Sequence, residues 1–528
     1  MKKKDRQLLK DCLSFFLFFT SAGLRGRMAT QKRPHKENQI PLQKTERGIS
    51  LGVAFVAGWV VMMLEILGAR LLAPYFGYSI YQWGALIGVV LTALACGYYL
   101  GGHVGDGNHA RRILYWALML STAWIILVPL FARLFLSWCR GFGPIEGAVL
   151  ASALLLGLPS VLLGTVSPII IRLTFSGGVA KASGSVYAVS TLGSIGGTFF
   201  TSFFAIPVLG SRTSHYVAGG LLIVMVLGLA LARRQIRYLA ILSLLLLMII
   251  LPAPKLPKGV IYQGESIHNI IRVVDRPSER LLFLNYAAGA QTVMSKNALL
   301  TGKYYDFFLL GPLMNKAKSV LFLGVGGGTA LQQILTVYPD VRVVGVELDP
   351  EVLTIAERYF GLVPSSRLVL KAEDARWYLE STSSQFDLIA VDLFVTGHIP
   401  FFTTTMEFFA RLKERLTSQG LLMMHIRSVR TGDELLGPFV RTIGDIFPSV
   451  FVLGKGNFIL VASKFPVDKD FLIQALQKGA NDFPSIQTVV NKALPDFEAA
   501  VKSEHWPIFT DDRNDVEIRT FRTSYQND

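Results

Sequence analysis

The stretch SVLFLGVGGGTALQQIL, residues 319–335, decides how the chain folds. A short apolar run passes straight into Gly324-Val325-Gly326-Gly327-Gly328-Thr329, after which apolar residues recur at helical spacing. A run bounded in this way is a buried strand, and the segment after it is a helix. Glycines at the join let several backbone N–H groups approach a ligand at the helix N-terminus without Cβ obstruction.

Outward from this turn the pattern repeats. VRVVGVE (341–347) ends in Glu347, about twenty residues on, where an acid can accept hydrogen bonds from both hydroxyls of a ribose. RLVLKAE (367–373) leads to Asp374 and Ala375 at the edge where an adenine would lie, FDLIAVD (386–392) ends in Asp392, and GLLMMHI (420–426) follows. Helical stretches at 330–338 and 350–360 separate the strands, so the sheet is parallel and doubly wound. Singly, Glu347 and Asp374 read equally well as caps of the helices after them, and Asp392 as a turn residue. As an ordered set at converging strand ends they read as a nucleoside site.

Ahead of this domain the composition changes. The 528-residue chain is dominated by long apolar runs up to Pro252, and Pro252, Pro254 and Pro257 with Lys255 and Lys258 form a stiff polar linker in which helix cannot continue. The expected organisation is a basic segment at 1–50, a transmembrane helical domain at 51–252, a linker at 253–258 and a nucleoside-binding domain at 259–528. NIIRVVD (269–275) and RLLFLN (280–285), joined by the turn RPSE, read as a small β-unit opening the last of these.

Seven runs approach the length of a crossing: 51–73, 83–101, 113–136, 147–171, 186–209, 216–232 and 238–251. The stretch 12–24 is short for an eighth, and Met28 is an alternative start. Arg111 and Arg112, then Arg172 and Lys181, then Arg233, Arg234 and Arg237, fall on every second loop, as basic residues on one membrane face do. Seven crossings from a basic cytoplasmic N-terminus would put the last domain outside. A cofactor made in the cytosol argues for a cytoplasmic domain, which needs an eighth crossing or a re-entrant segment. The expectation is a multi-pass protein of the cell membrane with that domain in the cytoplasm. Glu65 and Arg70 are costly inside a span, and read either as part of a substrate path or as paired and interfacial.

The net charge of +15 gathers in the first fifty residues and at span ends, which fixes topology and argues against nucleic acid. Cys12, Cys96 and Cys139 form no C-x-x-C pair, so neither a disulfide framework nor a zinc site is indicated, and no metal is expected.

LLFLNYAAGAQ, YYDFFLLGPL, VLFLGVGGGTALQQIL, VVGVELDPEV, LVLKAEDARWYL, FDLIAVDLF and FTDDRNDVE together resemble the spermidine synthase (polyamine aminopropyltransferase) family. LEILGARLLAPYFG, GYYLGG and SVYAVSTLGSIGGTFF resemble the membrane half of its members fused to a major-facilitator-like domain. The resemblance covers nearly everything after Ser50. It implies a Rossmann-like, class I methyltransferase-type fold, with decarboxylated S-adenosylmethionine as co-substrate and an amine such as putrescine as acceptor. Its pattern places Gln291 and Glu347 at the ribose and thioether, Asp374 and Ala375 at adenine, and Gly324, Gly326, Gly327 and Gly328 in the nucleoside turn. Asp392 becomes the proton acceptor, with Tyr304 and Asp306 on the substrate. The expected partners are this small amine and the lipid bilayer, with homo-oligomer formation left open.

Three positions depart from that pattern: Gly327 replaces an acid that would grip the aminopropyl ammonium, Val395 a second carboxylate, and Leu310 a histidine. Asp511 and Asp512, or His398 on the loop after Asp392, are candidates to compensate. A methyltransferase on the same nucleoside, and a non-catalytic nucleoside or polyamine sensor coupled to a transporter-like bundle, remain alternatives.

Overall fold

A computed structural model describes residues 44–105, 109–174, 179–232, 257–286, 289–394, 399–427 and 434–525. The stretch 12–24, the seventh apolar run at 238–251, the linker prolines other than Pro257, and Val395 and His398 lie outside the described residues.

Among the described residues, five apolar helical runs are long enough to cross a membrane. They are α1 (Lys44–Phe76), α2 (Ile80–Gly105), α3 (Ala110–Arg140), α4 (Pro144–Thr174), and a 53-residue run that a turn divides. The division falls at Gly210, whose φ of +76° ends α5 (179–209) and begins α6 (Gly210–Ala232). The runs expected at 186–209 and 216–232 are thus two helices. Small residues allow their closest approaches: a Cβ at Gly193 would meet the carbonyl oxygen of Phe55 at 2.0 Å, and one at Gly197 that of Trp59 at 2.3 Å.

The rest is α/β. An antiparallel unit of four strands comes first, ordered β1 (Val260–Glu265), β2 (Ile270–Asp275), β3 (Glu279–Leu284), β4 (Thr292–Ser295). The hairpin expected at RPSE is β2–β3, with an outer strand added on each side.

The main sheet has eight strands. Its parallel part runs, in spatial order, β9 (Leu416–Arg427), β8 (Phe386–Val391), β5 (Ser319–Leu323), β6 (Arg342–Glu347) and β7 (Leu368–Ala372). Beyond β9, antiparallel β11 (Asn457–Ser463), β10 (Ser449–Leu453) and β12 (Glu498–Ala499) complete it. Helices α7 (Thr329–Val337), α8 (Pro350–Phe360) and α9 (Ala375–Ser381) follow β5, β6 and β7. Cores on both faces bury the central strands, which is why these read as continuous apolar runs.

The two halves meet through polar contacts. Arg70, 8% exposed near the end of α1, reaches Glu265 at 3.2 Å, the Ile267 carbonyl at 2.8 Å, and the Ser266 carbonyl. Glu265 also accepts from the N–H and hydroxyl of Ser211 at the start of α6. Arg70 is therefore neither a snorkelling cation nor part of a path through the bundle; it ties α1 to β1. Stripping one partner from such a buried pair costs about 2 kcal/mol or more. Arg70→Met is expected to lower the melting temperature of the full chain in detergent, and an unchanged transition would contradict this role.

Candidate functional site

The site forms where the carboxyl ends of β5 to β9 meet the ends of the apolar helices, around a cavity of about 560 Å3. Gly324 leaves β5 at φ +90°, and a Cβ there would lie 2.2 Å from the Asp392 carbonyl oxygen, so only glycine permits the approach.

Glu347, at the end of β6, closes over the turn. Its Oε2 accepts from the N–H of Val325 at 3.1 Å and of Gly326 at 3.0 Å, and its Oε1 from Asp349 N–H at 3.3 Å. Burial pushes this carboxyl above its ordinary range, against the pull of those amides. Asp374 caps α9, with Oδ1 accepting from Arg376 and Trp377 N–H at 2.9 and 3.0 Å. It lines the cavity with Ala375 as well, so the capping and ligand readings of this acid are compatible.

Asp392 faces the same cavity with both oxygens engaged. Tyr304 donates its hydroxyl to Oδ2 at 2.9 Å, and His425 Nδ1 lies 2.9 Å from Oδ1. Nε2 of His425 sits 3.0 Å from Asn457 Oδ1, and the Tyr304 and His425 rings stack at 3.7 Å. Burial first, and then the Asp392 charge, hold the Tyr304 phenol well above its usual value, which keeps it a donor. His425 and Asn457 were not among the residues expected from sequence. His425 ends the strand beside that of Asp392, so the strand-end rule that selected Asp392 also points to it. Asn457 comes from antiparallel β11 and depends on a pairing no local pattern encodes.

Of the expected residues the structure brings Gln291, Gly324, Gly326, Tyr304, Glu347, Asp374, Ala375 and Asp392 to one cavity. Gln291 spends its Oε1 on Leu284 N–H at 2.8 Å, closing the turn after β3. Asp306 does not face the cavity. It is 4% exposed and accepts from Thr301, Gly302 and Gln333, which makes it the support of the turn that presents Tyr304. Gly327 and Gly328 also sit behind the lining. Gly327 N–H donates to Thr292 Oγ1 at 2.8 Å, and a Cβ on Gly327 would meet Thr292 Cγ2 at 2.7 Å, so no acid fits there. Leu310 is fully buried in the core. Asp511 is bound to Arg376, which lowers its pKa, while Asp512 is exposed; neither reaches the cavity.

The apolar helices supply one wall, which sequence did not foresee. Tyr75 of α1 and Arg140 of α3 line the cavity. They hold Tyr286: Tyr75 stacks on its ring at 4.6 Å, Pro74 O accepts its N–H at 3.2 Å, and Arg140 Nη1 donates to its carbonyl at 3.2 Å. Arg133 and Arg272 lie over the same ring at 5.6 and 5.4 Å.

Part of the chain is similar to known proteins. Residues 309–453 match the spermine/spermidine synthase domain family. A probable polyamine aminopropyl transferase from Bifidobacterium longum is 33% identical over 197 residues, covering 37% of this chain and 43% of that protein. A polyamine aminopropyltransferase from Oceanobacillus iheyensis is 24% identical over 469 residues, covering 80% of this chain and 86% of that protein. The crystal structure of a probable spermidine synthase from Corynebacterium glutamicum aligns with a TM-score of 0.37 at 18% identity, over 47% of this chain and 92% of that one. The match thus spans less than half the length of the Bifidobacterium relative.

Two measurements test the geometry. Gly327→Ala overpacks against Thr292 and is expected to cost about 1–3 kcal/mol. Adding Thr292→Ser, which removes Cγ2 and keeps the hydroxyl, is expected to restore part of the lost melting temperature. For Glu347 the raised folded-state pKa gives stability that is complete below the ordinary carboxylate range and lost as pH rises through the folded value. Glu347→Gln, which cannot ionise, is therefore expected to melt higher than the parent at about pH 8 and to lose that advantage towards about pH 4. The same variant is expected to bind nucleoside about tenfold or more weakly by calorimetry.

Proposed function

We propose that this chain, which carries a spermine/spermidine synthase domain, is a membrane-anchored aminopropyltransferase that moves an aminopropyl group from decarboxylated S-adenosylmethionine to a primary amine. The observation that carries this reading is the Tyr304–Asp392–His425 group in the cavity that also holds the glycine turn, Glu347 and Asp374. The last three suit an adenosine, with a ribose-directed acid at one end and a purine edge at the other; the N–H groups of Val325 and Gly326 are spent on that acid and that of Gly327 on Thr292, so the acid and not the amides would meet the ligand.

The reaction needs little else. The amine nitrogen attacks the carbon next to the sulfonium, the C–S bond breaks, and its electron pair stays on sulfur to leave neutral methylthioadenosine. The nitrogen sheds a proton to Asp392. Tyr304 and the His425–Asn457 pair hold both Asp392 oxygens in place, so the remaining lone pairs have a fixed aim. Tyr75 and Arg140 wall the cavity from the membrane side and keep Tyr286 seated, which makes the bundle part of the site as well as its anchor. The cavity that would select the amine, putrescine or another, is also lined by Lys303 and Arg427.

A second reading keeps the nucleoside and changes the donor. Thr292 fills the space where an acid at Gly327 would hold the aminopropyl ammonium, and this favours a methyltransferase using ordinary S-adenosylmethionine.

The test is turnover of the full chain in detergent with each donor. Release of methylthioadenosine from the decarboxylated form, reduced about 10²–10⁴-fold in Asp392→Asn with donor binding retained, is the expected outcome. Release of S-adenosylhomocysteine from the ordinary form would replace this reading with the second.

A further inference from the structure

The direction of each helix relative to the catalytic domain settles a question that counting spans leaves open. The end of α1 meets that domain through Arg70, Pro74 and Tyr75. The start of α2 meets it where Glu517 of the C-terminal helix accepts from Ile80 N–H. The end of α3 does so through Arg140, and the start of α6 through Ser211. The opposite end of the bundle therefore carries the start of α1, the end of α2 and start of α3, the end of α4 and start of α5, and the end of α6.

Basic residues sort by the same division. The far end holds Arg47, Arg111, Arg112, Arg172 and Lys181, and in sequence Arg233, Arg234 and Arg237 come directly after Ala232, where α6 is last described. On the near side the connections at 77–79 and 141–143 contain no Lys or Arg. The cations that do lie there are spent on structure: Arg70 on Glu265, Arg140 on the Tyr286 carbonyl, Arg133 on the Tyr286 ring, and Arg212 on Tyr216. Lysine and arginine in short loops are retained on the cytoplasmic face, because moving them across the bilayer during insertion is costly.

We infer that the far end is the cytoplasmic face and that the catalytic domain, with its cavity, lies on the non-cytoplasmic side of the membrane. This reverses the placement expected from cofactor supply. It rests on reading the helices as membrane-spanning, and uses neither the number of crossings nor the chain ahead of Lys44. The cavity then draws its amine from outside the cytoplasm, and a nucleoside donor made in the cytoplasm reaches it only after crossing.

Cysteine labelling in whole spheroplasts decides this without relying on turnover, since the domain after residue 258 contains no native cysteine. In full-length chains with Cys12→Ser, Cys96→Ala and Cys139→Ala, one variant carries Ser384→Cys on the exposed surface of the catalytic domain, and another Arg112→Cys on the far face. The expected result is that a membrane-impermeant maleimide labels Ser384→Cys in intact spheroplasts and Arg112→Cys only after permeabilisation. The reverse pattern would overturn the orientation. Labelling of both in intact spheroplasts, or recovery of the chain without membranes, would remove the membrane reading and the orientation with it. Should the cysteine-free background fail to fold, alkaline phosphatase and a green fluorescent protein fused in turn after Asp528 of the parent chain give the same answer. Phosphatase activity without fluorescence is expected, and fluorescence without activity would overturn the inference.

Discussion

The site depends on one close contact, between the backbones of Gly324 and Asp392 where β5 and β8 part. The strands run parallel in register up to Leu323 and Val391, and Asp392 N–H donates to the Leu323 carbonyl at 2.9 Å. Gly324 N–H in turn donates to the Val346 carbonyl at 2.9 Å. The glycine turn, the Glu347 strand and the Asp392 strand are thus locked together by main chain, and the two acids inherit their separation from the sheet. Any side chain at 324 would push the third of these away from the first two.

Polar groups then fix each functional side chain on that scaffold. Asp349 is fully buried, caps α8, and accepts from Ser266 and Asn269 of the small β-unit. Asn269 accepts from Asn285, which precedes Tyr286. This chain of bonds runs from the end of β6 to Asn285, next to the Tyr286 that Tyr75 and Arg140 hold. The Glu347 end of the cavity and its wall of apolar helices are therefore mechanically connected. A buried polar network of this kind specifies one arrangement because every alternative leaves a group unpaired.

Much of the architecture was legible in the sequence because it rests on local signals. Continuous apolar runs ending in Gly324, Glu347 and Asp392, with helical periodicity between, gave the parallel sheet; the strand-end rule gathered six cavity residues, and the family resemblance added Gln291 and Tyr304. The misses share a cause: they depend on contacts between distant segments. Asp306 matched a substrate position by resemblance, but the amides of Thr301 and Gly302 claim it. Asn457 reaches His425 only through the β9–β11 pairing. Tyr75 and Arg140, near the ends of apolar helices, meet a partner, Tyr286, that lies far away in the sequence. The cytoplasmic placement was drawn from chemistry, whereas the inferred orientation is drawn from the loop charges on every second connection.

A structure of the full chain with methylthioadenosine bound tests the central claim most directly. The account requires the purine at Asp374 and Ala375, the ribose hydroxyls on Glu347, and the sulfur directed at Asp392, with Tyr75 and Arg140 still closing the cavity. A nucleoside seated elsewhere, or one whose sulfur points away from Asp392, would contradict it.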